Sequence, residues 1–166
     1  MSEPGILLRA ATPADAQAVG DVLAASYSTL YRGWYRDEVL ATALPAMTRA
    51  RPELLASGKY FIVERQGRVA SCGGWSLGAP AGGGQPGRGH IRHFATHPDH
   101  LGKGCAGAII SRCLDEARAE GLAGMECLSS LTAEAFYARH GFDAVAPTSV
   151  TVGGASFACI LMRRAL

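Results

Sequence analysis

Short apolar runs bounded by turn residues alternate along this chain with stretches whose apolar residues recur every three or four positions. The runs predict strands over 5–10 (GILLRA), 60–64 (YFIVE), 69–77, 90–96, 124–129 (GMECLS), 142–145 and 155–162. Ala16, Val19, Val22 and Leu23 form a stripe at helical spacing, and Thr12-Pro13-Ala14-Asp15 opens it as N-cap, first position and acidic first turn. That helix is expected to end near Ser26. A second helical stretch follows the aromatic segment 27–35, breaks at Pro45, resumes over 51–56 and stops at Ser57-Gly58. A third starts just after Gly104 and runs through Leu114 and Ala117 to Glu120-Gly121. A fourth, Thr132 to His140, is stopped by Gly141.

The order is β, α, α, β, β, β, α, β, α, β, β. The middle strands are joined by the turn Gln66-Gly67 and by the Gly/Pro-rich segment 78–89 (GAPAGGGQPGRG), which suits a surface loop. Hairpins at the centre exclude a purely doubly wound parallel sheet, so a mixed α+β domain is expected.

Composition narrows the function. A chain of 166 residues suits one domain, residues 1–166, with a core of its own. A net charge of +2 gives no footprint for nucleic acid. Five cysteines without CxxC spacing read as reduced thiols, which places the chain in the cytoplasm. No basic segment followed by an apolar run opens the chain, and no apolar stretch is long enough to span a bilayer, so neither a signal peptide nor a membrane is expected. No His/Cys/Asp grouping has metal spacing, so no metal is expected.

The chemistry concentrates in Gly89 to Ile110, GHIRHFATHPDHLGKGCAGAII. Strand, glycine loop and helix start make an anion site, because main-chain N–H groups converge where the helix dipole is positive. Gly102, Gly104 and Gly107 satisfy G-x-G-x-x-G. The dinucleotide reading fails, since Pro98-Asp99-His100-Leu101 separates strand from first glycine and the preceding strands form a hairpin rather than βαβ units. No G-x-x-x-x-G-K-[ST] is present, which excludes a nucleotide P-loop.

Leu101-Gly102-Lys103-Gly104-Cys105-Ala106 after a strand instead resembles the acetyl-CoA signature Q/R-x-x-G-x-G/A of the GNAT N-acetyltransferases, with Leu101 where Gln or Arg is usual. Phe136-Tyr137-Ala138-Arg139-His140-Gly141-Phe142 reproduces that family's closing motif F-Y-x-x-x-G-F. The resemblance spans nearly the whole chain. It implies a central, mostly antiparallel, twisted sheet of six to seven strands, splayed between its two central strands and flanked by about four helices. It implies acetyl-CoA as cofactor, with CoA as product. Leu101, Gly102, Lys103, Gly104, Cys105, Ala106 and Gly107 would hold the pyrophosphate, Phe94, Ala95 and Thr96 the pantetheine arm, and Thr132 and Tyr137 the region of the sulfur. A main-chain N–H near Phe94 or Ala95 would polarise the thioester carbonyl.

Tyr137 matches the family's general acid to the CoA thiolate, and a tyrosine hydroxyl is a neutral donor at pH 7. For the base, the signature strand has no carboxylate but carries His90 and His93, three apart and therefore expected on opposite faces, so that only one faces the acceptor. Ordered water is the alternative, with Glu126 and Glu134 as further candidates. His97 and His100 are expected at the surface. Cys105, at a helix start, has no base placed beside it, so a covalent route is not favoured.

The acceptor falls to the least constrained segments. These are the aromatic cluster Tyr27, Tyr31, Trp34 and Tyr35, the 78–89 loop and the last hairpin. None carries an acidic cluster, which disfavours a polycationic acceptor and leaves a small-molecule or peptide amine. A homodimer is left open. Two functions remain: an acetyl-CoA-dependent N-acetyltransferase acting by direct attack in a ternary complex, and an acyl-CoA-binding module without catalysis. The filled acid position, Tyr137, favours the first.

Overall fold

A computed structural model describes residues 5–78 and 86–166. Seven strands form one sheet in the order β1-β2-β3-β4-β5-β7-β6. They are β1 (Ile6–Ala10), β2 (Tyr60–Arg65), β3 (Arg68–Ser76), β4 (Arg88–Thr96), β5 (Gly124–Ser130), β6 (Asp143–Val152) and β7 (Ala155–Ala165). Every neighbouring pair is antiparallel except β4 and β5. The helices are α1 (Ala16–Leu30), α2 (Asp37–Met47), α3 (Pro52–Leu55), α4 (Cys105–Ala119) and α5 (Glu134–Arg139). The predicted element order holds, with one helix more than the four expected because the stretch after the aromatic segment divides into α2 and α3. Among the described residues, no helix is long and apolar enough to cross a membrane.

The sheet separates two apolar layers. On one face α1, α2 and α3 cover Tyr60, Ile62, Cys72 and Ala95. On the other, α4 lays Ile109, Ile110, Cys113 and Leu114 over Phe61, Val63, Trp75, Ile91 and Met125. Strands covered on both faces read as continuous apolar runs, which is why YFIVE shows no alternation.

Local details depart from the sequence pattern for identifiable reasons. Pro45 lies inside α2 rather than ending it. α1 runs on to Leu30, past Ser26, because Tyr27 is buried on the sheet side and prolongs the stripe. β6 reaches Val152 instead of stopping at 145. It is an edge strand, where Pro147 is tolerated because its missing N–H faces no further strand. Gly153 and Gly154, at φ 58° and 90°, supply the tight turn into β7.

β4 and β5 are paired only from Arg88↔Gly124 to His90↔Glu126. Beyond that point they diverge. β4 is also bulged: Cys72 pairs with Ala95 and Gly74 with Arg92, so His93 and Phe94 together face Gly73. His93 takes φ 56°, the left-handed region that non-glycine residues enter rarely. The bulge is enforced from β3. A Cβ on Gly73 would lie 2.4 Å from the Phe94 ring, and one on Gly74 2.3 Å from the Lys59 carbonyl. Gly74→Ala is therefore expected to cost about 3 kcal/mol of stability, since backbone cannot yield as a side chain can. The check is a lowered urea-unfolding midpoint.

Candidate active site

The gap between β4 and β5 opens into a cavity of about 870 Å³. One end is the loop before α4, where Gly102 and Gly104 hold φ 72° and 79°. Gly104 is the N-cap of a fifteen-residue helix and has no side chain to satisfy its first turn. Ala106 and Gly107 of that turn, with Lys103, Arg139 and His140, line this end. Cationic side chains and a helix N-terminus facing one opening suit an oxygen-rich anion. Leu101, 46% exposed, presents an apolar side chain there instead of a polar contact. Arg139 and His140 are additions that the motif F-Y-x-x-x-G-F hid among its unspecified positions. They reach the loop because α5 packs beside α4, with the His140 ring about where a Gly107 side chain would sit, 3.5 Å from its Cβ position.

The middle of the cavity is the bulge. The Tyr60 hydroxyl donates to the His93 carbonyl and the Tyr27 hydroxyl to the Phe94 carbonyl, each at 2.7 Å. Ser71 Oγ donates to the Ala95 carbonyl at 2.9 Å and meets Thr96 Oγ1 at 3.0 Å. Four consecutive residues of β4 are thus held from the α1 face and from β3, while Phe94, Ala95 and Thr96 line the cavity.

Tyr137 enters from α5. Gly141, at φ 86°, turns the chain so that the Phe142 amide bonds back to the Tyr137 carbonyl and its ring meets Tyr137 at 5.6 Å. The Tyr137 ring approaches Phe94 edge-on at 6.3 Å. Burial pushes the pKa of its hydroxyl well above the ordinary range, so it keeps its proton at neutral pH. Thr132, bonded to Ser130 at 2.9 Å, lies nearby on the same wall.

The two candidate histidines differ from expectation. They do not sit on opposite faces, because the bulge interrupts the alternation: both lie on the α1–α3 side. His90 is buried, 3.9 Å from Glu126, does not line the cavity, and its Nε2 has no hydrogen-bond partner among the described residues. His93 does line it. Its Nε2 lies 2.7 Å from the Met47 carbonyl, so that nitrogen carries the hydrogen and Nδ1 keeps the lone pair. Burial drives its pKa down to about 4, opposed by the Met47 bond and reinforced by Arg51 and Arg92. His100, expected at the surface, is buried with Nδ1 3.3 Å from Arg65. Glu126 is engaged by Arg163 and Arg88, and neither it nor Glu134 lines the cavity. The five cysteines are buried and form no disulfide with one another, and burial raises the Cys72 thiol to about 12.

At the far end Tyr27, Tyr31 and Trp34 of the aromatic segment line the wall, joined by Met47 and Phe157. Tyr27 and Tyr31 stack at 4.8 Å, while Trp34 is 58% exposed. Tyr35 lies off the cavity: its hydroxyl donates to the Ala158 carbonyl and accepts from the Leu131 amide. Within the 78–89 loop, also expected to meet the acceptor, 79–85 lie outside the described residues.

Residues 24–142 match the model of the acetyltransferase (GNAT) family. The chain belongs to the GNAT acetyltransferase family. Solved structures carry the same fold. A GCN5-related N-acetyltransferase from Rhodopseudomonas palustris superimposes with a TM-score of 0.80 at 24% identity, over 100% of this chain and 99% of that one. The PaiA N-acetyltransferase of Thermoplasma acidophilum, solved with coenzyme A, gives 0.71 at 12% identity over 97% and 99%. The ribosomal-protein-S18-alanine N-acetyltransferase of Escherichia coli gives 0.62 at 13% over 96% and 93%. No curated protein matches the chain in sequence. The GNAT assignment explains why a helix start, a bulged strand and a tyrosine share one cavity: the family is an acyl-transfer one, and CoA-type cofactors are bound among its structural neighbours.

His93 makes one property of this site measurable. Its folded-state pKa of about 4 lies below the ordinary 6.5, so between those values the unfolded chain holds a proton that the folded chain excludes. Stability from the neutral ring is complete above about pH 6.5 and is lost as pH falls toward 4. His93→Asn, which tolerates the positive φ, is expected to flatten the slope of Tm against pH in that window. Thermal scans across pH check it.

Proposed function

We propose that the chain is an acetyl-CoA-dependent N-acetyltransferase that moves the acetyl group directly to a primary amine of a small molecule or peptide. The observation that carries this reading is the continuity of one cavity from the Gly102–Gly107 loop, along the bulged strand, to Tyr137 and the aromatic wall. Bound acetyl-CoA would supply the acetyl group as a thioester.

The residues present fit that group. Main chain of Gly102 to Gly107 meets the pyrophosphate at the positive end of α4, with Lys103 and Arg139 adding charge. Phe94, Ala95 and Thr96 take the pantetheine arm along the side of β4 that β5 has left. With the carbonyls of His93 and Phe94 turned toward Tyr60 and Tyr27, the opposed N–H groups of the bulge are the donors for a thioester carbonyl oxygen.

The reaction exchanges a C–S bond for a C–N bond, and two protons must move. Tyr137 Oη donates to the departing sulfur. It is suited because burial keeps it protonated. His93, neutral with its lone pair on Nδ1, accepts a hydrogen bond from the attacking nitrogen, whose lost proton leaves by water at the open mouth. His90 and Glu126 have no part, being outside the cavity.

Purified protein is expected to release thiol from acetyl-CoA when a suitable amine is supplied, and to gain in Tm with CoA. Tyr137→Phe is expected to lower kcat on the order of 10²-fold while leaving the Kd for acetyl-CoA unchanged. Equal rates in the two proteins place the acid elsewhere. Acetyl-CoA binding without thiol release for any amine overturns the enzyme reading.

A further inference from the structure

We propose that the acceptor is a weakly basic aromatic amine, taken up uncharged, with its ring against Tyr27, Tyr31 and Phe157 and Trp34 at the mouth. This deepens the acetyltransferase reading and rests on it.

The first support is the charge of the wall. Among the described residues no aspartate or glutamate lines the cavity. Of the 14 acidic residues in the chain, Glu3 alone lies outside the described residues. Residues 79–85, APAGGGQ, contain none. The charges acting on His93 are those of Arg51, just before α3, and of Arg92, its neighbour on β4, both cations. An ammonium brought to Nδ1 therefore leaves water with no anion to meet it and two cations nearby. Desolvating such an ion is costly where no counter-charge offsets it.

The second support is the lack, among the described residues of the aromatic end, of a base able to discharge an ammonium; the other two lining imidazoles, His100 and His140, stand with the glycine loop at the opposite end. His93 is committed to the Met47 carbonyl at 2.7 Å and buried beside Tyr27, and a ring that protonates only near pH 4 removes protons from an alkylammonium poorly. An arylamine needs no such base, because delocalisation of its lone pair into the ring keeps it neutral at pH 7.

The third support is the form of the aromatic wall. Bare ring faces would attract a cation. Here Tyr27 and Tyr31 stack on each other at 4.8 Å and 11°, and Phe157 stacks on Tyr35 at 4.2 Å and 15°. Each ring has thus given one face to a neighbour, leaving a surface suited to burying a flat apolar body. Its proximity to the chemistry is direct, because the Tyr27 hydroxyl is bonded to the Phe94 carbonyl.

The test compares the isomers 4-methylaniline and benzylamine, which share size and ring but differ in whether the nitrogen is charged at pH 7. Spermidine and lysine serve as cationic acceptors without a ring. Thiol release from acetyl-CoA is expected to give 4-methylaniline a kcat/KM at least about tenfold above benzylamine and further above spermidine and lysine. Trp34→Ala is expected to raise the KM for 4-methylaniline several-fold with an unchanged Kd for acetyl-CoA. Preference for benzylamine, spermidine or lysine overturns the inference while leaving the acetyltransferase standing. An unchanged KM in Trp34→Ala overturns the placement of the ring. No thiol release with any of the four amines overturns the inference; the acetyltransferase reading itself falls only where Tm still rises with acetyl-CoA and no amine of a wider panel, peptides included, releases thiol.

Discussion

Two tyrosine hydroxyls, Tyr60 from β2 and Tyr27 from α1, bond the carbonyls of two consecutive residues of β4. On that arrangement the rest of the site depends. A strand in regular register would turn successive carbonyls to opposite sides and return its N–H groups to its neighbours. The bulge at His93-Phe94 breaks the pattern, and buried hydroxyls satisfy carbonyls that would otherwise go unpaired at a serious cost. Gly73 on β3 makes room for it under the Phe94 ring, while the next glycine, Gly74, lets β3 lie close against the Lys59 carbonyl and Tyr60. The strain of a left-handed His93 is thereby distributed over a packed frame.

The splay of the sheet has the same logic. β4 and β5 pair over three residues and then part, and main chain freed from the ladder needs other partners. On β4 these are side-chain hydroxyls behind and a cavity in front. The gap is useful only because α4 begins at one end of it and α5 places Tyr137 across it. Gly104 and Gly141 set those two positions, the first by starting a helix without a capping side chain, the second by ending one so that Phe142 folds back into the core.

Electrostatics divide the cavity into two halves. The cradle end carries Lys103 and Arg139 and a helix N-terminus, all favouring anions. The aromatic end carries no carboxylate among the described residues, and its imidazole, His93, is held neutral by burial. Burial likewise keeps the proton on Tyr137. A low-dielectric gap between them holds both groups in their uncharged forms, which suits a transfer between neutral reactants better than one starting from an ion pair.

Much of this was legible in the residues alone. The glycine loop before an amphipathic helix, the F-Y-x-x-x-G-F ending and the hairpin-centred order of elements specify local conformation through φ preference, capping and periodicity, which act within a few residues. They led to the fold and to the family. What they left undecided involves partners distant in sequence. Period-two alternation put His90 and His93 on opposite faces; the bulge, accommodated by Gly73 and held by Tyr60 and Tyr27, put both on one. Arg139 and His140 were unspecified letters in a motif until α5 packed beside α4. Tyr35 belonged with its aromatic neighbours by composition and left them because its hydroxyl found Ala158 and Leu131. Sequence determined which segments turn, coil or extend, since those choices are made by adjacent atoms. Tertiary structure alone decided which titratable groups face the gap and which stay neutral there, because burial and hydrogen-bond partners come from chain far away.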